Sequence, residues 1–288
     1  MTIEAKIIAH SVHALSGKDI ITYSLRFPRF ILPEMNTHKM LSKNASSSRA
    51  IPVKKQISLV REDMAIPIAF AANKAGMQAR ETFGPFKQWL SRVIWRSAGY
   101  SALFFATLMD KLNIHKQYAN RIMEPYAHIS VVITGTDWDN FFALRFHGMA
   151  QPEFAQLAKQ MYYAKENSIP KVLKVGEWHL PYVSEDEKCG CKFSIDELLK
   201  MSAARCARVS YLTHEGKTPI YSEDEKLFIR LVGSQPIHAS PTEHQAQVAA
   251  DVELKSGNFN GGWIQHRKLL PNENITKFDL EAALASFN

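Results

Sequence analysis

Residues 36–49 read NTHKMLSKNASSSR, and the interpretation of the 288-residue chain turns on this stretch. It sets Lys39, Lys43, Arg49, His38 and Asn44 among five hydroxyl groups (Thr37, Ser42, Ser46, Ser47, Ser48), with few apolar side chains to bury. Hydroxyls, amides and a guanidinium are what a phosphate oxygen requires, because charge-assisted and bidentate hydrogen bonds to it are the strong ones. The same composition also suits a plain polar loop leading into Ile51-Pro52, since serine runs are common in loops.

Upstream, residues 3–13 and 19–31 read as two strands joined by a turn at Ser16-Gly17-Lys18, a hairpin. Pro28 places an edge or a bend in the second strand. The sparse apolar residues Met35, Met40 and Leu41 predict a short helix that loosens into the serine loop, with Asn44 at its frayed end. Downstream, residues 56–64 and 69–82 have no clean period, and Gly84-Pro85 closes that section. Residues 86–112 then carry Trp89, Val93, Trp95, Ala98, Ala102, Phe105, Leu108 and Leu112 at three- and four-residue spacings, which predicts a long helix with a buried face. Further helices are predicted over 115–123, 137–145 and 152–163, and a strand over 127–134. Two capping-box spacings, Ser194 with Glu197 and Ser222 with Glu225, open two more helices.

Composition narrows the class of protein. A hydrophobic fraction of 46% and a charged fraction of 22% belong to a globular protein and exclude disorder or a fibrous repeat. No apolar run approaches the roughly 20 residues that span a bilayer, and the N-terminus alternates too early for a signal peptide, so a soluble, cytoplasmic protein is expected. The net charge of +7 suits an anionic ligand, either a phosphorylated small molecule or nucleic acid. Three cysteines argue against a disulfide framework, and Cys189-Gly-Cys191 lacks a second pair with metal-ligand spacing, so no metal site is expected.

Other residues invite chemistry. His238 and His244 flank Pro241, with Glu243 adjacent, but their spacing does not suit one face of a helix. Ser240 and Pro241 instead predict a helix start whose backbone N–H groups could meet an anion. Arg121 and Arg145 lie in apolar surroundings, where either a buried carboxylate or a ligand must meet them. Cys206, beside Arg205 and Arg208, is the one suggestive thiol, although its small apolar neighbours favour a structural role.

With these residues in view, the chain resembles the flavin-dependent thymidylate synthases. Their signature RHRxxSxNxxSxRY is matched in register by Thr37-His38-Lys39, Ser42, Asn44, Ser47 and Arg49. Arg121-Ile122 with Pro125 is similar to the family's RIxxP segment, and Asn140, Arg145, Ala150, Gln151 and Glu153 to its NFxxLRxxxxAQxE segment. Ala207-Arg208-Val209-Ser210 resembles its ARVS element, and His238, Ser240, Pro241, Glu243 and His244 its HxTPxEH element. The order differs, because the last two elements follow the signature here instead of preceding it. The chain thus resembles a circularly permuted, phage-like member, located in host cytoplasm if phage-encoded, and the resemblance requires the 238–244 element to lie near residues 36–49.

The resemblance implies an α+β fold, with a mixed or antiparallel sheet packed with long helices, as one domain over residues 1–288. Residues 170–193 are expected as a surface excursion. It implies FAD as cofactor, NADPH and methylenetetrahydrofolate as co-substrates, dUMP or dCMP as the nucleotide, and a homotetramer with sites between subunits. Flavin contacts are implied for Thr37, His38, Lys39, Asn44, Asn140, Ser210, His238, Ser240, Glu243 and His244. Nucleotide contacts are implied for Ser46, Ser47, Ser48, Arg49 and Arg121, with Arg145 polarising the base as the catalytic residue. Glu34 stands where the family has a glutamine near the nucleotide. A carboxylate accepts from an amino group, so dCMP, or a hydroxymethyl product, comes into view. Thr37, Lys39 and Ala50 depart from the signature's first two arginines and its tyrosine, which weakens cationic contacts to flavin or folate.

Overall fold

The computed structural model describes residues 2–75, 81–189, 192–209, 219–234, 237–274, 276 and 278–285. Its larger sheet holds five strands: β1 (Glu4–His13), β2 (Asp19–Pro28), β3 (Ser42–Ala45), β4 (His128–Gly135) and β5 (Lys171–Leu173). Their order is β3-β4-β2-β1-β5; β5 runs parallel to β1 and the remaining pairs are antiparallel, so the sheet is mixed. A smaller antiparallel sheet, β6 (Trp178–His179), β7 (Ala246–Val248) and β8 (Trp263–Gln265), lies beside it in the order β6-β7-β8.

The helices are α1 (Leu32–Asn36), α2 (Val53–Glu62), α3 (Pro85–Lys111), α4 (Lys116–Ala119), α5 (Asp139–Arg145), α6 (Pro152–Glu166), α7 (Glu185–Lys188), α8 (Ile195–Arg208), α9 (Tyr221–Val232) and α10 (Leu280–Ala285). The expected α+β class is what forms. No described helix is long and apolar enough to cross a membrane.

Strand parity sets the two faces of the larger sheet. On β2 the residues Ile21, Tyr23, Leu25 and Phe27 join Ile129, Val131 and Ile133 of β4 on one side, and they pack against Phe141 of α5 and Phe154, Leu157 and Met161 of α6. The alternate residues Thr22, Ser24 and Arg26 stand opposite Thr134, Val132 and Ser130, and these share the other face. That polar face is covered by α8 and the smaller sheet, where Cys206 and Val209 meet Val132 and where Ile20 joins Trp263 and Phe259. Buried polar side chains therefore collect on one side of one sheet.

Several expectations need correcting. The hairpin and its turn form, with Gly17 at φ +69, but β2 lies in the middle of the sheet, and Pro28 is tolerated because it ends the strand before a 3-10 turn at Arg29–Ile31. Asn44 lies in β3, not at a helix end, because pairing with β4 overrides the weak local pattern. Residues 115–123 form the single turn α4 and a 3-10 segment, Arg121–Tyr126, that contains Pro125. The capping box at Ser194 is present with both bonds, whereas α9 starts at Tyr221 and Ser222 does not cap it. The segment 170–193 is only partly superficial: β5 joins the main sheet, and Leu173, His179, Leu180 and Val183 are buried.

The largest correction concerns α3. It forms nearly as predicted, yet only Gly99, Leu103 and Ala106 are buried. Trp89, Val93, Phe105, Leu108 and Leu112 are exposed, as are Ile94, Tyr100 and Phe104. Periodicity reveals that a helix has apolar faces; it does not reveal what covers them.

Candidate functional site

Three features meet around β3 and its flanks, and the first is built on Arg145. Helix α5 ends at Arg145, and its Nε donates to His38 Nε2 at 2.9 Å, while Nη2 donates to Thr37 Oγ1 at 3.4 Å. The guanidinium lies 4.7 Å over the Phe154 ring. No carboxylate pairs with Arg145 among the described residues, so its full charge is held in place by neutral groups. His38 accepts at Nε2, which leaves the ring proton on Nδ1, and burial followed by Arg145 and Lys43 lowers its pKa to about 4. Lys43 donates to the carbonyls of His38 and Leu41. Burial, with Lys39 nearby, lowers the Lys43 pKa to about 8.

The second feature joins distant parts of the chain to β3. Asn44 donates to the Cys206 carbonyl at 3.4 Å, which ties the strand to the end of α8. His244 Nδ1 is 2.8 Å from Thr134 Oγ1, which shares a hydrogen bond with Thr22 Oγ1, also at 2.8 Å. Thr22 in turn reaches His179 Nε2 at 2.9 Å, and His179 Nδ1 is 2.9 Å from Ser11 Oγ. All five side chains are buried, and burial holds both histidines neutral, with pKa values lowered to about 3. Gln265 bridges Ser42 Oγ and the Glu243 carbonyl at 3.1 and 3.2 Å. The 238–244 element therefore lies against β3, which is part of residues 36–49, as the resemblance required.

The third feature is a cavity of about 590 Å³. Ser46, Ser47 and Ala50 form one side of it and Ala207, Arg208 and Val209 another, so the signature and the AR-V element share a wall. Its floor takes Arg26, His128 and Ser130 from the polar face of the sheet, and α2 adds Lys55 and Gln56. Arg26 is held from behind by Asp63 at 2.9 Å and Arg208 by Asp224. His128 Nδ1 donates to the Asp63 carbonyl at 3.1 Å, and burial, then Arg26, lowers the His128 pKa to about 4. His128 Nε2 and Arg208 Nε are buried without hydrogen-bond partners among the described residues.

The sequence-derived site residues divide accordingly. Thr37, His38 and Arg145 are brought together, and Ser46 and Ser47 reach the cavity. Ser48 turns away and donates to Glu124 Oε1 at 2.6 Å, where Arg29 also binds that carboxylate at 3.1 Å. Arg121 is exposed and pairs with Glu124 at 3.4 Å, so the surroundings expected to be apolar are solvent and a carboxylate. Lys39, Arg49, Asn140, His238 and Ser240 are exposed, and none of their side chains makes a hydrogen bond among the described residues. Glu243 is bound by Arg267, and Glu34 keeps a buried Oε2 without a partner among the described residues.

Ser210 lies outside the described residues. The expected helix start at Ser240 is a single 3-10 turn, Ser240–Glu243, too short to present an anion site. Cys206 is fully buried with its thiol pKa raised by burial, as suits a structural thiol. Among the described residues no three His, Cys, Asp or Glu side chains cluster as metal ligands. Sequence reading passed over Arg26, Lys55, Gln56, His128 and Ser130. The available signal was parity, since Arg26 and Ser130 lie opposite each other on the face shared with Thr22 and Thr134.

No family model matches the chain, and no curated protein matches it. Among solved structures it is similar to a UMP/dUMP methylase PolB from Streptomyces cacaoi bound with 5-Br UMP. That likeness has a TM-score of 0.49 at 16% identity, covering 57% of this chain and 88% of that one. The same enzyme bound with 5-Br dUMP gives a TM-score of 0.45 at 15% identity, covering 57% of this chain and 90% of that one.

Proposed function

We propose that the chain transfers a one-carbon unit from methylenetetrahydrofolate to C5 of dUMP, giving dTMP, with FAD as cofactor and NADPH as reductant. The observation that carries this reading is the convergence of segments separated by up to 200 residues. The signature strand β3, the end of α8 and the 238–244 element meet at one place through Asn44, Thr134, His244 and Gln265. These are the segments whose motifs resemble those of the flavin-dependent thymidylate synthases.

Reduced FAD, when bound, supplies the two electrons that take the transferred carbon from the methylene to the methyl level. The residues that the resemblance implies for it have donor groups that suit such a group. Lys39, Asn140, His238 and Ser240 offer exposed polar side chains with no partners of their own among the described residues. Arg145, oriented by neutral His38 and Thr37, favours the electron-rich pyrimidine whose C5 attacks the donor carbon, and it does so as a pre-organised charge. Ser46 and Ser47 hold the nucleotide from the cavity side.

The site is completed in a homotetramer. The accessible surface of the chain is 16174 Å², against about 12,400 Å² for a compact monomer of this mass. The uncovered apolar faces of α3 account for part of that excess and suit α3 to a subunit contact. A second reading, modification of dCMP or formation of a hydroxymethyl base, is favoured by the buried, unpartnered Oε2 of Glu34, which suits a ligand amino group. Incubation with FAD, NADPH, methylenetetrahydrofolate and either dUMP or dCMP, followed by mass analysis of the nucleotide, tests both. Conversion of dUMP alone to dTMP supports the first and removes the second; recovery of both nucleotides unchanged removes the enzyme.

A further inference from the structure

The cavity floored by β2 and β4 has a chemistry that the signature does not account for. Arg26, Lys55 and Arg208 bring three cations to it, and Ser46, Ser47 and Ser130 bring hydroxyls, while no carboxylate lines it among the described residues. Asp63 and Asp224 grip the two guanidiniums from outside, which fixes their orientation, and Lys55 contributes its charge from α2. Arg208 keeps a buried Nε–H with no acceptor among the described residues. A buried donor left unmade is costly, so an acceptor-rich ligand is the natural complement. The volume of about 590 Å³ is ample for one mononucleotide.

The geometry points to Arg26, Lys55 and Arg208 as the residues that hold a phosphate monoester, and so make the site select a nucleoside 5′-phosphate over the nucleoside. This rests on the nucleotide reading above and deepens it. Arg49 and Arg121, the cations implied by resemblance, do not line the cavity; Arg121 is spent on Glu124. The side chains proposed here come instead from β2, α2 and α8. The phosphate is recognised as an anion with several acceptor oxygens, which two fixed guanidiniums and serine hydroxyls can divide among them.

The test is calorimetric titration of the full chain, with FAD present, using dUMP, deoxyuridine, inorganic phosphate and methylenetetrahydrofolate as separate probes. Lys55→Met is the first variant, because Lys55 is exposed on a helix and its loss spares the core. Arg26→Lys, which can keep the pair with Asp63, is the second. The expected result is that Lys55→Met weakens dUMP about 10- to 100-fold and deoxyuridine less than about twofold. Arg26→Lys should weaken dUMP in the same selective way. If dUMP and deoxyuridine bind the wild type equally, or lose equally in the variants, the phosphate assignment is wrong although the nucleotide reading stands. Loss of methylenetetrahydrofolate with dUMP retained would mean that the cavity takes folate carboxylates, which also overturns it. If inorganic phosphate binds as tightly as dUMP, the cavity takes a free anion and the proposed selection fails. A wild type that binds neither nucleotide nor nucleoside refutes the underlying reading and this assignment together.

Discussion

Replacing Thr134 with valine probes the join between the signature strand and the 238–244 element. Thr134 Oγ1 lies 2.8 Å from both Thr22 Oγ1 and His244 Nδ1, and all three residues are fully buried. Valine nearly matches threonine in volume, so little cavity is created and the loss is one of hydrogen bonds. Thr22 keeps His179 Nε2 at 2.9 Å, but His244 loses its one side-chain partner among the described residues while Nε2 is already unpartnered. Leaving a buried polar group unsatisfied costs about 1–3 kcal/mol, and the lost bond to Thr22 adds about 1 kcal/mol. The expected destabilisation is therefore about 2–4 kcal/mol. For a chain of this length that lowers the melting temperature by about 3–7 °C, measured by circular dichroism. Thr134→Ser keeps the hydroxyl and loses one methyl group, so it should cost about 1 kcal/mol. FAD affinity should fall with Thr134→Val and hold with Thr134→Ser. A Thr134→Val protein that melts within about 1 °C of wild type would refute the buried chain of hydrogen bonds and the docking built on it.

Three further outcomes are expected. His179 and His244 stay neutral in the fold because burial lowers their pKa values to about 3, whereas the unfolded chain takes up protons below about 6.5. Stability is thus full above that pH and is lost as pH falls toward 3, by about 1.4 kcal/mol per histidine between pH 7.5 and 5.5; urea denaturation giving the same stability at both pH values contradicts this. Phe104→Glu on the exposed face of α3 should shift the mass seen by light scattering from an oligomer to the 32.6 kDa chain, and a wild type that is already monomeric counts against the tetramer. Arg145→Lys, which loses the Nε bond to His38, should lower kcat with dUMP about 100-fold while KM changes much less, and an unchanged kcat removes Arg145 from the chemistry.

Much of the fold was legible in the sequence because local patterns agreed with their surroundings. The hairpin of β1 and β2 has strand-like residues and a glycine where the turn needs positive φ, and α8 carries its own capping box at Ser194. Where tertiary contacts decide, the pattern misled. Three polar residues and an alanine, Ser-Lys-Asn-Ala, become β3 only because Thr134 to Val131 stand ready to pair with them. The α3 periodicity was real, but the described residues of a single chain bury only a narrow stripe, Gly99, Leu103 and Ala106. The grouping of Thr37 with His38 beside Arg145 was legible in part, because residues adjacent in sequence stay together. The cavity cations were not, because Arg26, Lys55 and Arg208 lie on three elements and meet through strand parity and helix docking, which no linear spacing records.

The most direct test of the account is whether the purified chain binds flavin at the place where β3 and the 238–244 element meet. Titration of FAD into the protein, followed by flavin fluorescence and by absorption near about 450 nm, is expected to saturate at one flavin per chain. The Thr134→Val variant should bind more weakly, and added dUMP should perturb the bound spectrum. A colourless protein that leaves FAD fluorescence unchanged at every ratio, with or without dUMP, would contradict the central claim.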